Sequence, residues 1–222
     1  MKRGVSCIVP AYNEEGRIGN VLRVLEKHPL LKEVIVINDC STDNTEEEVK
    51  KFKGVKLIIN PVNKGKSFSV MRGIRSAKGD LVMLIDADLV GLTKKSITDL
   101  AKPLIDGEAD VSISLRNLFW SFVGIDFLSG ERVFHKFFFK NYKSFEKLPG
   151  FGLEVAMNRK IIREKLRIKI VTLKGVISPY KSKKFGFFAG IKGDIIMTKQ
   201  IIKVVGFWGA VSQIAKLSSL KV

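Results

Sequence analysis

The chain has 222 residues, of which 45% are hydrophobic and 27% charged, fractions typical of one large globular domain, alone or with an appendage. Its formal charge is +17, because residues 1–115 carry 18 Lys and Arg against 16 Asp and Glu, whereas residues 116–222 carry 21 against 6. The charge predicts an anionic partner for the C-terminal half: a phosphorylated ligand, an anionic membrane or a nucleic acid.

The two cysteines, Cys7 and Cys40, exclude a disulfide framework and indicate a reducing compartment. Cys7 lies in an apolar run, so we expect it to be a small core residue. The start of the chain leads directly into that run, and no signal peptide is expected. The uncharged stretch at residues 204–215 is too short to cross a bilayer as a helix, so no transmembrane helix is expected there.

The N-terminal half alternates between apolar strands and helices. Strands are expected in VSCIVPAY (5–12), KEVIVIND (32–39), VKLIIN (55–60), DLVMLID (80–86) and ADVSISL (109–115). Helices are expected in EEGRIGNVLRVLEKH (14–28), TDNTEEEVKKF (42–52), SFSVMRGIRSA (67–77) and residues 96–106. Strands that are apolar on both faces and alternate with helices predict an α/β fold, with a mostly parallel sheet covered on both faces.

The alternation of predicted strands and helices becomes less regular after Arg116. The run NLFWSFVGIDFLSGERVFHKFFFK (117–140) is aromatic and basic, and we expect loop and helix over the edge of the sheet. A helix is expected from Leu153 and a strand in LRIKIVTLKG (166–175).

A basic amphipathic helix is expected near the end of the chain. Residues 194–217 have apolar residues at helical spacing with lysines between them, and Gly206 and Gly209 are candidate breaks. We therefore divide the chain into a domain at 1–185, with halves at 1–115 and 116–185, and a C-terminal segment at 186–222.

Polar residues follow the strands at their carboxyl ends, where open parallel sheets bind ligands. The four successive ends lead into PAYNEE, NDCSTDNT, NPVNKGKS and DADL. Asp86 and Asp88 would repel each other at a buried strand end unless a cation lay between them. Mg²⁺ or Mn²⁺ accepts such oxygen ligands and brings with it the phosphates of a nucleotide. An isolated Asp-X-Asp is more often a helix cap and a turn residue, but four polar strand ends favour the metal.

Four segments carry a resemblance: VSCIVPAYNEEGRI, IVINDCSTDNT, NKGKSFSVMRGI and DLVMLIDADL resemble, in order and spacing, the motifs of family 2 glycosyltransferases with a GT-A fold. SGERVF (129–134) and GFGLEVAMN (150–158) resemble later motifs of the dolichyl- or polyprenyl-phosphate sugar synthase branch. The resemblance implies a Rossmann-like GT-A domain that transfers a sugar, with inversion, from a UDP- or GDP-linked donor to a polyprenyl or dolichyl phosphate.

The resemblance also implies roles for individual residues. Contacts to the nucleotide sugar fall on Pro10, Ala11, Tyr12, Glu14, Asp39, Lys64, Lys66 and Asp86. The resemblance assigns the metal, Mg²⁺ or Mn²⁺, to Asp86 and Asp88, and it assigns contacts with the acceptor phosphate to Arg116, Ser129 and Arg132. Catalytic roles fall on Asp88, Glu154 and Arg132. Because Asp43 or Ser41 could cap the next helix, we expect Asp39 to be left for the ligand.

The chemistry of the acceptor decides which catalytic group is needed. A lipid phosphate is already an anion at neutral pH, so it needs orientation and charge screening, which Arg116 and Arg132 would supply. Arg132 has few acids near it along the chain, which favours an anionic ligand. A hydroxyl acceptor would instead require a general base, and Glu154 is the candidate by its position in the family.

The chain departs from the family pattern at two places. Asn38 stands where an aspartate is common, and Leu89-Val90-Gly91 follows Asp88 without the usual polar residue and proline, so a further metal ligand there is in doubt.

Two other classes of protein explain less of the sequence. A nucleotidyltransferase should have a glycine-rich loop after its first strand, which VPAYNEEGRI lacks. A non-catalytic nucleic-acid-binding protein would explain the charge but not the carboxylates at the strand ends, which repel phosphates. We therefore expect no nucleic-acid partner.

The basic C-terminal half predicts attachment to an anionic membrane surface, with the protein peripheral on the cytoplasmic face. The lysines between Lys181 and Lys203 would bind the anionic lipid, although the helix could equally pack on the domain or form a homodimer. We expect the protein to sediment with anionic but not with neutral liposomes, and salt should release it, because exposed charges are screened beyond about 10 Å at 0.1 M. Equal binding to both liposomes, or binding to neither, would contradict this prediction.

Overall fold

A computed structural model describes residues 4–115, 129–140, 145–150, 152–177 and 207–222. Arg116, Gly206, the lysines from Lys181 to Lys203 and the predicted domain boundary at residue 185 lie outside these ranges. The division of the chain at that boundary therefore stays a prediction.

The predicted alternation of strands and helices is confirmed in the N-terminal half. The strands are β1 (Val5–Ala11), β2 (Leu31–Asn38), β3 (Val55–Ile59), β4 (Leu81–Leu84), β5 (Val111–Leu115), β6 (Arg132–His135) and β7 (Ile168–Thr172). The helices are α1 (Ile18–Leu25), α2 (Thr45–Lys50), α3 (Lys66–Ser76), α4 (Lys94–Ile105), α5 (Gly152–Glu164) and α6 (Phe207–Ser218), and a 3-10 helix spans Lys136–Phe139.

Within the described ranges the strands form one sheet in the order β3-β2-β1-β4-β6-β5-β7. Strand β1 pairs in parallel with β2 and β4, β2 with β3, and β5 with β7, whereas β6 runs antiparallel to both of its neighbours. The predicted α/β fold with a mostly parallel sheet is confirmed. Because β1 to β4 are parallel, their carboxyl ends meet at one edge of the sheet.

Each face of the sheet has its own apolar core. Cys7 and Val9 of β1 pack in a cluster with α1 and α4, whereas Ile8 belongs to a second cluster with α3 and α5. Alternate side chains of a strand point to opposite faces, so one strand supplies both cores. The predicted burial of Cys7 is confirmed, and burial raises the pKa of its thiol.

The prediction of loop and helix is wrong for Arg132–His135, which forms β6 between β4 and β5. Arg132, Val133 and Phe134 are all fully buried, since the strand lies inside the sheet with both faces covered. A buried arginine followed by two buried apolar residues is neither an alternating pattern nor an apolar run. The sequence therefore carried no recognisable strand signal at this position.

Helix α6 runs through Gly209, so the candidate break at that residue is wrong. Beyond α6 the chain adds to the edge of the sheet: the Ile168 N–H donates to the Leu220 carbonyl at 2.8 Å, and the Val222 N–H donates to the Ile168 carbonyl at 3.0 Å. Leu217 is buried in the core that α5 covers. The described end of the predicted C-terminal segment thus packs on the domain. None of the helices in the described ranges has the length and apolar character that a membrane crossing requires.

Candidate active site

The carboxyl ends of β1, β2 and β4 surround a cleft of about 240 Å³, which we call the donor cleft. Its lining consists of Pro10, Ala11, Tyr12, Glu14, Asp39, Lys66, Ser69, Asp86, Ala87 and Asp88. The structure thus brings together the residues predicted for the nucleotide sugar and the metal, with the exception of Lys64. Sequence reasoning missed Ser69, which lies inside α3 and carries no motif signal.

Two loops at this edge of the sheet are hydrogen-bonded to each other. The Asn13 N–H donates to Ser41 Oγ at 3.0 Å, and the Glu15 N–H donates to Asp43 Oδ2 at 3.1 Å. Asp43 also accepts a hydrogen bond from the Thr45 N–H at 3.0 Å, which forms a turn just before α2, whose N-cap residue is Asn44. These contacts join the loops after β1 and β2 into one wall of the donor cleft.

Asp39 is 4% exposed, and its carboxylate orders the turn that follows β3. Its Oδ1 accepts hydrogen bonds from Asn60 Nδ2 at 2.6 Å and from the Lys64 N–H at 3.0 Å, and its Oδ2 accepts one from the Gly65 N–H at 2.7 Å. Asp39 is therefore not without partners, but it also lines the donor cleft, so its predicted contact with the nucleotide stays a prediction.

Lys64 lies beside the donor cleft rather than in it. Its backbone is bound to Asp39, but its Nζ lies 4.6 Å from the centroid of the Phe68 ring. Lys64 and Phe68 both line a second, neighbouring cleft.

Asn38, which replaces the aspartate common in the family, is 1% exposed. Its Oδ1 accepts a hydrogen bond from the Ser41 N–H at 3.0 Å. A neutral amide makes this turn contact without the cost of burying another charge next to Asp39.

Asp86 and Asp88 lie just beyond the end of β4, and the backbone after them is held in place by hydrogen bonds. Val90 exchanges two backbone hydrogen bonds, of 2.9 and 3.0 Å, with Ile177. Gly91 has a φ of +78°, and a Cβ there would lie 2.2 Å from an opposing backbone carbonyl oxygen. The sequence Leu89-Val90-Gly91, which departs from the family pattern, therefore lets the chain at Gly91 approach the backbone of Gly175 closely.

The side chain of Lys66 connects this aspartate pair with α5. Its Nζ lies 2.9 Å from Asp86 Oδ1 and 3.2 Å from Glu154 Oε1. Burial acts to lower the pKa of Lys66, but the two carboxylates outweigh it and raise that pKa above its ordinary value, so the ammonium stays charged. Gly130 leaves room for this pair, because a Cβ there would lie 2.9 Å from Asp86 Oδ2 and 3.0 Å from Lys66 Nζ.

Arg132 is fully buried beneath the site rather than exposed in it. Its Nε donates to the Ser129 carbonyl and one terminal nitrogen donates to Asn158 Oδ1, both at 2.7 Å. Burial lowers the pKa of Arg132 to about 10, while Glu154 and Glu131 act in the opposite direction. The expectation that Arg132 has few acids to pair with is wrong, because Glu131 precedes it directly along the chain and folding brings Glu154 close enough to act on its charge.

Glu131 and Asn158 are site residues that sequence reasoning missed. Glu131 is fully buried, and its Oε2 accepts hydrogen bonds at 2.7 Å from Ser129 Oγ and from Ser114 Oγ. Ser129, predicted to contact the acceptor phosphate, is thus bound to Glu131. Asn158 lies four residues after Glu154 on α5, a spacing that places both on one face of the helix and could have revealed it.

The charges around the donor cleft fit a divalent cation. Beside the aspartate pair, the carboxylates are Asp86, Asp88, Glu131 and Glu154, and the cations are Lys66 and Arg132. Asp39 adds a negative charge to the same cleft, whereas Glu14 is paired with Arg17. Three negative charges are therefore in excess. In the described part of the chain no three His, Cys, Asp or Glu side chains converge on one point. Mg²⁺, however, is commonly held by one or two carboxylates together with substrate phosphates, so the aspartate pair fits this ion.

Replacing Asp39 with Ala should loosen the turn at residues 60–65, because three hydrogen-bond donors lose their acceptor. Only the Asn60 donor is buried, so the loss of its acceptor has the largest cost, about 1–3 kcal/mol. Amide hydrogen exchange at Lys64 and Gly65 should accelerate, while exchange within β1 stays slow. Asp39→Asn keeps one acceptor oxygen and should fall between the two. Unchanged exchange at both amides in the Ala variant would contradict this role.

Replacing Arg132 with Ala should destabilise the protein by about 3–5 kcal/mol, because Glu131 and Glu154 would stay buried without their cation. The thermal midpoint should fall by roughly 6–20 °C, since about 2–4 °C corresponds to 1 kcal/mol in a chain of this size. Arg132→Lys keeps the charge and should lose less. Arg23→Ala, on the exposed side of α1, serves as the control. An Arg132→Ala variant as stable as the wild type would favour the open, ligand-facing arginine of the sequence prediction.

Comparison with known proteins identifies the family of this domain. The family model described as Glycosyl transferase family 2 matches residues 6–166, a range that includes the donor cleft and α5. The match therefore covers well over half of the chain.

Two curated relatives match shorter stretches. A dolichyl-phosphate beta-glucosyltransferase of Trichomonas vaginalis is 35% identical over 103 residues, which are 40% of this chain and 31% of that protein. A poly-beta-1,6-N-acetyl-D-glucosamine synthase of Staphylococcus epidermidis is 38% identical over 91 residues, which are 39% of this chain and 22% of that protein. The chain covers about a third of the length of the dolichyl-phosphate relatives that it matches.

A solved structure supports the fold over a longer range. It is glucosyl-3-phosphoglycerate synthase from Mycobacterium tuberculosis in complex with Mn²⁺, uridine diphosphate and glucosyl-3-phosphoglycerate. The TM-score is 0.67 at 25% identity, and the alignment covers 79% of this chain and 72% of that chain. The same enzyme has also been solved with Mg²⁺ and uridine diphosphate. The predicted GT-A fold is confirmed, and the chain belongs to glycosyl transferase family 2.

Proposed function

We propose that the protein transfers a sugar, with inversion, from a UDP- or GDP-linked donor to a polyprenyl or dolichyl phosphate. The observation that carries the proposal is the donor cleft, in which Asp86 and Asp88 lie beside Lys66. The Trichomonas vaginalis relative is named for a dolichyl-phosphate acceptor, and the solved neighbour binds uridine diphosphate with Mn²⁺. These names support a lipid-phosphate acceptor and a nucleotide-linked donor for the proposed reaction.

The nucleotide would lie along the ends of β1 and β2. Pro10, Ala11, Tyr12 and Glu14 would frame its base and ribose, and the Tyr12 side chain is open to such a contact at 46% exposure. Asp39 would contact the base. Its Oδ2 accepts one hydrogen bond from the described residues, and a carboxylate oxygen can accept a second.

Asp86 and Asp88 would hold Mg²⁺ or Mn²⁺ between themselves and the diphosphate. Such an ion neutralises the negative charge that develops on a leaving diphosphate. Lys66 would add positive charge on the same side, since its ammonium lies 2.9 Å from Asp86. Glu154 holds the same ammonium from the opposite side at 3.2 Å, which keeps it in place for the donor.

The transfer step follows from the charge of the acceptor. A phosphate oxygen would attack the anomeric carbon, while the bond from that carbon to the diphosphate oxygen breaks and its electron pair leaves with the nucleoside diphosphate. Because the phosphate is already an anion, no proton has to be removed. Arg116 and Ser129 remain proposed acceptor contacts. Arg132 would act indirectly from below the site, because its positive charge balances the negative charges of the buried Glu131 and Glu154.

A hydroxyl acceptor is the second candidate. Glu154 is 2% exposed, and its Oε2 accepts no hydrogen bond from the residues described. Such an atom could take a proton from an attacking hydroxyl. The Staphylococcus epidermidis relative, named for a polysaccharide product, also favours this candidate.

The basic C-terminal half supports attachment to an anionic, cytoplasmic membrane surface. The lysines that would make this contact lie outside the described residues, so the attachment is proposed from the sequence alone. Membership of a glycosyltransferase family favours sugar transfer over the nucleic-acid-binding alternative.

The proposal is tested by a donor screen. UDP- and GDP-sugars are incubated with Mn²⁺, with and without a polyprenyl phosphate, and the released nucleotide and the glycolipid are measured. Asp88→Asn should abolish transfer, because it removes a metal ligand without changing the size of the side chain. Its thermal midpoint without metal should hold or rise, since repulsion between the two carboxylates is relieved.

Asp99→Asn is the matched control, because this aspartate lies on α4 in an exposed pair with Lys95. It should retain full transfer. Substantial turnover in the purified Asp88→Asn variant would remove Asp88 from the metal site. Transfer to a free alcohol but not to the lipid phosphate would establish the second candidate instead.

A further inference from the structure

The residues predicted for the acceptor phosphate do not form an open site among the described residues. Arg132 is fully buried, Ser129 donates its hydroxyl to Glu131, and Arg116 lies outside the described ranges. Among the described residues, the acceptor phosphate therefore calls for a further candidate site.

A second cleft of about 680 Å³, which we call the acceptor cleft, lies next to the donor cleft. It runs between the start of α3 and the segment that leads into α5. Its lining consists of Asn63, Lys64, Gly65, Lys66, Phe68, Glu146, Lys147, Leu148, Pro149 and Gly150. Lys66 lines both clefts, so a ligand in the acceptor cleft would lie directly beside the donor diphosphate.

The acceptor cleft carries an excess of positive charge. Lys64 and Lys147 are exposed, and neither forms an ion pair with any residue that the structure describes. The cleft also contains Glu146, whose carboxylate lies 2.5 Å from the guanidinium of Arg75 and is thereby neutralised. The lysine side chains are thus available to an anion.

The same cleft has an apolar floor. Phe68, Leu148 and Pro149 contribute carbon surface, and Lys64 Nζ lies above the Phe68 ring at 4.6 Å. A cation next to exposed carbon surface matches a ligand with an anionic head and a hydrocarbon chain. A small, fully polar phosphate would leave this floor without a partner.

Both walls of the cleft are fixed before any ligand binds. Ser67 Oγ donates to the Leu148 carbonyl at 2.7 Å, which ties the wall formed by residues 146–150 to α3. The Gly152 N–H donates to the Pro149 carbonyl at 2.9 Å, which ties it to α5. Gly65, at the rim, is held by Asp39. Binding therefore requires little ordering of these walls, which favours affinity.

We propose that the acceptor cleft binds the acceptor as an amphiphilic phosphate monoester. The phosphate lies between Lys64 and Lys147 and points towards Lys66, and the first unit of the hydrocarbon chain lies over Phe68 and Leu148. This assignment rests on the proposed function, and it places the acceptor on the side of Lys66 opposite the nucleotide.

The test measures binding of farnesyl phosphate by calorimetry, with no donor present. Farnesol and 3-phosphoglycerate serve as probes that lack the phosphate and the chain, respectively. The wild type should bind farnesyl phosphate more tightly than either probe. The double variant Lys64→Met/Lys147→Met should weaken that binding by about tenfold or more, because two charged contacts are lost.

Lys53→Met/Lys56→Met is the matched control, because it removes the same charge from exposed lysines around the start of β3. It should bind farnesyl phosphate like the wild type. Unchanged affinity in the Lys64/Lys147 variant would overturn the proposal. So would 3-phosphoglycerate or farnesol binding as tightly as farnesyl phosphate, since the site would then not select an amphiphile.

A second measurement separates this proposal from the proposed function. A photoreactive isoprenoid phosphate should label peptides that contain Phe68 or Leu148, and labelling elsewhere would overturn the assignment. If farnesyl phosphate binds through these lysines but receives no sugar, the acceptor cleft stands and the proposed function fails. If transfer proceeds with the same KM in the Lys64/Lys147 variant, the function stands and the cleft assignment fails.

Discussion

One lysine shared between two carboxylates organises the active end of this protein. Lys66 Nζ contacts Asp86, at the end of β4, and Glu154, on α5, so a single ammonium joins the sheet to the helix that covers it. Arg132 has the corresponding role in the layer beneath, where it is surrounded by Glu131 and Glu154. Without these two cations, four carboxylates would crowd one edge of the sheet, and repulsion would favour either proton uptake or separation of the elements.

The antiparallel strand β6 makes this arrangement possible. Because it enters the sheet between β4 and β5, it carries Gly130 and Arg132 into the space beside the aspartate pair. Gly130 leaves room for the Lys66–Asp86 contact, and Arg132 reaches beneath it to Asn158 on α5. A parallel strand at this position would enter from the opposite edge of the sheet, and these residues would lie far from the site.

The position of Lys66 also gives the two clefts a common wall. On one side lie the strand ends that suit a nucleotide and a divalent ion, and on the other lie lysines above an apolar floor. A glycosyltransferase must bring a donor and an acceptor together, and with the proposed phosphate acceptor it must also keep two negatively charged ligands from repelling each other. A cation between the two sites meets this requirement, since it attracts both ligands and screens each from the other.

Local sequence patterns were enough to predict the parallel half of the fold and its polar strand ends, and the family resemblance supplied the individual residues of the donor cleft. A strand such as DLVMLIDADL can be recognised from its own residues, because the apolar run indicates burial and the polar residues after it indicate a binding site. The other features depend on contacts between distant segments. Strand β6 had no local signature, since the burial of Arg132 depends on Asn158 and Glu154, which only folding brings close to it. Asp39 looked free because its donors lie more than 20 residues away along the chain. The acceptor cleft, likewise, is built from two segments that no local pattern connects, and only contacts such as those of Ser67 with Leu148 and of Lys66 with Glu154 place them together.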